Sequence, residues 1–230
     1  MYITTMIIMC IGFIVIHSTM VSKQGKNAFL RLTGPKFMQC YYRAFFTVVS
    51  AILMFGFFYL LRTLPDKEIY SAPLWLKISM YLIEIGGMLF GMASLLVLDF
   101  GEFFGIKQIR RCKSRQFDSE KLSIDGVHFK LVTTGAYSIV RHPIYLAGIL
   151  MISFQPDVTY NWLVVTIFAD IYFIAAAFKE EYFFLKVINK EYREYQKRVP
   201  MFNIFKGLYY KFSNSMVAER STSLTQKGDS

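Results

Sequence analysis

"AFFTVVSAILMFGFFYLL", residues 44–61, holds eighteen consecutive residues without one Asp, Glu, Lys or Arg. A helix needs about 20 predominantly apolar residues to cross the hydrocarbon core of a bilayer, so this stretch reads as a membrane span. Three more blocks resemble it. Ile3 to Met20 carries no charged residue, Trp75 to Leu98 carries only Lys77 and Glu84, and Val158 to Phe178 carries only Asp170. A shorter apolar run, Pro143 to Phe154, reaches only about 18 Å as a helix at ~1.5 Å per residue. It must be a partial span or one arm of a tight helical hairpin. "SFQPDVTYN" (153–161) supplies turn chemistry through Pro156, Asp157 and Asn161, and 158–178 forms the returning arm. The expected fold is an all-α, polytopic transmembrane helical bundle of about five membrane segments, with a C-terminal helical hairpin and a cytoplasmic cofactor pocket. Residues 1–212 form one domain, with its cofactor-binding part at 130–202. The polar tail 213–230 reads as disordered.

The first block has no basic residue before Lys23 and no small-x-small cleavage site after it, so it reads as a retained helix and not as a signal peptide. The formal charge is +10, and its placement sets a topology. The segment 23–43 carries five cations and no acid, 99–143 eight cations and five acids, and 179–230 ten cations and six acids. Across the membrane, Arg62 and Lys67 are balanced by Asp66 and Glu68. Cytoplasmic loops collect Lys and Arg, so the N-terminus is expected outside or in a lumen and the C-terminus in the cytoplasm. This accounts for the basic balance without a nucleic-acid partner. Cys10, Cys40 and Cys112 stand alone with no CxxC pair. They read as three separate thiols, with neither a disulfide framework nor a zinc or other metal site.

The costly residues sit in "TTGAYSIVRHPIYLAGIL" (133–150). Proline is favoured at the first helical position, so Pro143 starts the short helix, with His142 at its cap and Arg141 just outside. A helix start presents unpaired N–H groups and partial positive charge. Together with Arg141 this can receive a carboxylate or phosphate. At the other end of the hairpin, "FKEEYFFLKVINKEYREYQKRVPMF" (178–202) puts Glu180 and Glu181 where the last long helix leaves the membrane. Hairpin geometry returns them to Arg141 and His142. Ionisable groups at a membrane boundary are costly unless paired or bound. Two readings stay open: an Arg–Glu pair tying the hairpin ends, or a site for a ligand with a carboxylate, an ammonium and an apolar or aromatic body, such as S-adenosylmethionine. Tyr192 and Tyr195 share one face of a short helix and either cover an adenine or dock that helix on the core.

"LVTTGAYSIVRHPIYLAG", followed by "EEYFFL" and "EYREYQKRVPMF", resembles the integral-membrane methyltransferases related to isoprenylcysteine carboxyl methyltransferase. "FIVIHSTMVSKQGK" (13–26), "GEFFGIKQ" (101–108), "PDVT" and "RVPM" extend a weaker likeness to the branch holding methanethiol S-methyltransferases, nurim and NnrU-type proteins. The resemblance implies a pocket for S-adenosyl-L-methionine lined by Tyr137, Arg141, His142, Tyr145 and Gly148 on one side and by Glu180 and Glu181 on the other, closed by Tyr192 and Tyr195. Gly148 equally suits helix packing. The resemblance also implies methyl transfer to a small or lipophilic acceptor, a thiol such as methanethiol, within a membrane lipid environment. Arg141 or Lys107 would supply a positive field, and His17 or His142 a base. The branch usually carries a His after the hairpin turn and an E-E-R-D run. Here the turn reads "TYNWL", and Glu181 is followed by Tyr182 and Phe183.

Alternatives are a carboxyl O-methyltransferase of isoprenylcysteine, a non-enzymatic nurim-like membrane protein, and a sterol C14-type reductase, for which the chain offers no extra pyridine-nucleotide region. Glu84 and Asp170 lie near the middle of spans and are functional candidates by position, with no role assigned. No oligomeric state follows from the sequence.

Overall fold

The computed structural model describes residues 2–114 and 131–211. The expected tail 213–230 and part of the basic 99–143 segment lie outside the described residues. Helices dominate: α1 (Tyr2–Val21), α2 (Lys23–Cys40), α3 (Tyr42–Thr63), α4 (Leu74–Val97), α5 (Phe100–Phe103), α6 (Ile106–Lys113), α7 (Pro143–Ser153), α8 (Tyr160–Val187) and α9 (Asn189–Arg198). Four of these, α1, α3, α4 and α8, are long and apolar enough to cross a membrane, and α7 is the short apolar helix. The fold is an all-α membrane helical bundle. Large apolar side chains point outward along the spans, among them Phe55 at 77% exposure and Leu96 at 72%. A water-soluble chain rarely tolerates such continuous apolar surface; acyl chains cover it at no cost.

Contacts divide the chain into two units. The first draws on residues 1–81, 98–131 and 155–172. Its core is Met6 and Cys10 of α1 with Val165 of α8, flanked by Phe57, Leu61 and Phe168. The expected 153–161 turn pairs with the loop between α3 and α4, which the sequence did not predict. Two short strands, β1 (Glu68–Ser71) and β2 (Asp157–Thr159), pair antiparallel. The loop around them is fixed by Asn161, whose backbone N–H donates to Asp66 Oδ1 (3.1 Å) and whose Nδ2 donates to the Pro65 carbonyl (3.2 Å).

The basic segment 23–43, read from sequence as a loop, is mostly helical. Ser22 caps α2 by accepting from the Gly25 N–H, and Gly34, at φ 81°, kinks the helix just before Pro35. Proline lacks the N–H that an unbroken helix would need there.

The reading of three separate thiols is corrected. Cys40, at the end of α2, and Cys112, in α6, form a disulfide with Cα atoms 5.8 Å apart, and Cys10 alone is free. The 72-residue separation carries no spacing signature. The two are brought together where Gly105, at φ 86°, meets the Ala44 backbone, leaving no space for a Cβ.

The second unit draws on 82–97, 132–154 and 173–230. Here α4 offers Gly87 and Gly91, one turn apart, to α7. A Cβ at either would stand 3.0 Å from Leu150 or Ala147. Small residues let membrane helices approach closely, and this approach seats α7.

Candidate active site

The site is built entirely within the second unit. Before α7 the chain turns through a 3-10 segment, Gly135–Ser138, and reaches Pro143 at the first helical position with His142 as the cap residue, as the proline rule predicts. The approach strand is clamped: the Arg141 N–H donates to the Pro200 carbonyl (2.9 Å) and the His142 N–H to the Met201 carbonyl (3.3 Å). The first intrahelical bond runs from the Leu146 N–H to the His142 carbonyl (3.0 Å). Pro143 itself has no N–H to leave unsatisfied at this helix start.

The far end of α8 returns to this point. Arg141 donates through Nε to Glu181 Oε1 (2.7 Å), which also stands 2.6 Å from its Nη2, and through Nη1 to the Val199 carbonyl (2.5 Å). His142 Nε2 stands 3.2 Å from Glu181 Oε1, and its Nδ1 stands 3.5 Å from Glu180 Oε2. Gln196 Nε2 donates to the remaining Glu181 oxygen (2.8 Å). The side chains of Arg141 and Glu181 are 10% and 12% exposed, whereas that of Glu180 is 39% exposed. Two adjacent carboxylates thus differ in task. Glu181 is consumed by the protein, and Glu180 keeps an open face.

Burial alone would lower the pKa of His142, but its hydrogen bonds to Glu180 and Glu181 outweigh burial and raise it above the ordinary histidine value. An imidazole between two carboxylates holds its proton. Tyr137, Tyr192 and Tyr195 are driven well above the usual phenol range, first by burial and then by nearby negative charge or neighbouring phenols. They remain neutral.

Tyr192 and Tyr195 make packing and hydrogen-bond contacts within this unit. Both are buried, Tyr192 packs on Phe184 with ring centroids 4.9 Å apart, and the Tyr195 hydroxyl donates to the Tyr137 carbonyl (2.5 Å). Tyr145 lies parallel to His142 at 5.7 Å and stacks on Phe173 at 6.1 Å. Gly148 faces the same Phe173 ring, 2.7 Å from where its Cβ would stand, which is a packing position.

His17 and Lys107 belong to the other unit, each with its own partners. His17 Nδ1 stands 2.8 Å from the Tyr172 hydroxyl, among the rings of Phe13 and Phe46. Lys107 pairs with Asp99. The residues that sequence reasoning missed are Gln196 and the carbonyls of Val199, Pro200 and Met201. Only the "RVP" run hinted at the last three, because backbone acceptors leave no mark in residue types.

The chain is 28% identical over 195 residues to a protein of Pseudomonas deceptionensis named methanethiol S-methyltransferase, covering 82% of this chain and 68% of that protein. It is 26% identical over 191 residues to one of the same name from Crocosphaera subtropica, covering 83% and 70%. It is 24% identical to methanethiol S-methyltransferase 1 of Bradyrhizobium diazoefficiens, of whose length it spans 62%. No protein-family model matches the chain, and no solved structure matches it. The resemblance drawn from the Arg-His-Pro and Glu-Glu motifs therefore holds over most of the chain, and the class of enzyme to which it points is a membrane methyltransferase.

Proposed function

We infer that the protein moves a methyl group from S-adenosylmethionine to a small or lipophilic thiol, methanethiol being the model acceptor. One observation carries this reading: beside the closed Arg141–Glu181 pair, the Glu180 carboxylate stays open at the start of α7. The donor set suits a zwitterion with a sulfonium. Glu180 offers negative charge to an ammonium or sulfonium, the dipole at the start of α7 favours a carboxylate, and Tyr145 offers a ring edge. The cofactor, when bound, supplies an electrophilic methyl on a positive sulfur.

The chain's own residues contribute orientation. Arg141 is a positioning residue, since its donors are spent on Glu181 and the Val199 carbonyl. It locks the end of α8 against the start of α7, so that Glu180 meets that helix start in one geometry. Alignment of this kind contributes roughly 7–11 kcal/mol to bimolecular reactions. His142, whose pKa the two carboxylates raise, tempers their charge. The nucleophile is the acceptor's thiolate. His17 and Lys107 are proposed participants only through the branch resemblance.

The charge placement supports a topology with the N-terminus outside and the C-terminus in the cytoplasm, and residues 1–212 are proposed to work as one domain. A labelled-methyl assay on purified protein tests the activity. Transfer to methanethiol supports the reading. Transfer to an isoprenylcysteine acceptor alone replaces it with the carboxyl methyltransferase. No transfer to either, with no cofactor binding, leaves the nurim-like alternative.

A further inference from the structure

Beyond α9 the chain forms a last helical segment, residues 204–211. Asn203 starts it: its side-chain oxygen accepts from the Lys206 N–H (2.9 Å) and its carbonyl from the Gly207 N–H (3.0 Å). One face is pressed onto the strand that leads into Arg141. Gly207 is buried there, and a Cβ on it would stand 1.9 Å from the Ile139 carbonyl oxygen. Backbone cannot yield to that contact, so only glycine lets this helix lie down.

The outward face carries the wrong residues for water. Phe205 is 86% exposed and Tyr209 is 69% exposed, and at i and i+4 they form one ridge. Lys206, stacked over the Tyr210 ring at 5.5 Å, and Lys211, also exposed, lie alongside. Aromatic rings beside lysines are the pattern of a helix lying in the membrane interface, where rings enter the acyl boundary and ammonium groups meet phosphates. The bilayer is the occupant favoured by the molecule itself. The chain has four helices fit to span a membrane, and the segment 179–230 that holds this ridge carries ten cations against six acids, which complements an anionic leaflet.

We propose that residues 203–211 form a membrane-surface helix that seats Phe205 and Tyr209 in the headgroup layer of an anionic leaflet and holds the Arg141 strand from its other side through Gly207. This rests on the helix and not on the methyl-transfer reading, so either can fail alone.

The test uses the full chain in liposomes of phosphatidylcholine and phosphatidylglycerol. Spin labels are attached at F205C or Y209C in a C10S background. The C10S parent, whose other two cysteines are bonded to each other, checks that nothing else is labelled. A label at K190C, an exposed position on α9, is the aqueous reference. The expected result is several-fold higher collision with oxygen, and several-fold lower collision with a water-soluble nickel chelate, at 205 and 209 than at 190. Nickel accessibility equal to that at 190 overturns the proposal. A label immobilised and shielded from both reagents also overturns it, showing that protein covers the ridge: a second copy or residues 213–230. Equal immersion in phosphatidylcholine alone overturns the anionic headgroup as partner.

Discussion

Glu181→Ala would leave a guanidinium in the interior without its carboxylate. Three geometric facts set the size of the effect. Both side chains are about one-tenth exposed, Arg141 reaches one Glu181 oxygen through two nitrogens at 2.7 and 2.6 Å, and Gln196 occupies the other oxygen. Opposite charges ~4 Å apart interact by about 4 kcal/mol at the effective dielectric of such sites. Removing one partner of a buried pair costs roughly 3–5 kcal/mol. At about 3 kcal/mol, and a shift of ~2–4 °C per kcal/mol for a chain of this size, the melting temperature should fall by about 6–12 °C.

The internal control is Glu194→Ala. That residue pairs with Lys197 on the outside of α9, where Glu194 is 52% and Lys197 70% exposed, and water screens such pairs so that they contribute little. Thermal unfolding of both variants in one detergent decides the matter. The double variant Arg141→Met, Glu181→Leu removes both charges and should recover much of the loss. If Glu181→Ala melts no lower than Glu194→Ala, the pair does not tie the hairpin ends and the reasoning fails.

His142 has its pKa raised in the folded state above the ordinary 6.5. Its contribution to stability is fully present below that ordinary value and is lost as the pH rises through the folded value. The gap in melting temperature between the wild type and His142→Gln should shrink as the pH rises above 6.5; a gap constant with pH contradicts the carboxylate pairing. Gly91→Leu drives a side chain into the space held by Ala147, and overpacking of this kind costs about 1–3 kcal/mol, to be read as a lowered melting temperature with insertion into membranes retained. Cys40→Ser opens a disulfide spanning 72 residues, for which loop entropy sets a ceiling of about 4 kcal/mol. Helices that persist in the membrane when the bundle comes apart lower that figure. A reductant should destabilise the wild type and leave the variant unmoved, and identical curves for both would deny the bond a stabilising role.

The parts legible in the sequence were those written in side-chain type over many residues. Four charge-poor blocks became α1, α3, α4 and α8, with ends close to those expected except that α8 runs on from Phe178 to Val187. Pro143 marked a helix start because its missing N–H is harmless only there. Glu180 and Glu181 returned to Arg141 and His142 because a short arm and a tight turn leave little choice. What stayed hidden depends on the backbone or on distant neighbours. Strands of four and three residues, Glu68–Ser71 and Asp157–Thr159, are too short for alternation to register. The Val199 and Pro200 carbonyls that hold Arg141 are invisible in residue names. Cys40 and Cys112 meet only because α2 and α6 pack. Tyr192 and Tyr195 show one helical face whether they cover a ligand or a core.

Calorimetric titration of S-adenosylhomocysteine, the demethylated cofactor, into purified protein bears most directly on the site. Glu180 lies outside the Arg141–Glu181 lock, so Glu180→Ala should fold, with a melting temperature lowered only by its lost contact to His142. The account predicts saturable one-to-one binding by the wild type and a loss of at least tenfold in affinity for that variant. No binding by the folded wild type, or equal binding by Glu180→Ala, would contradict it.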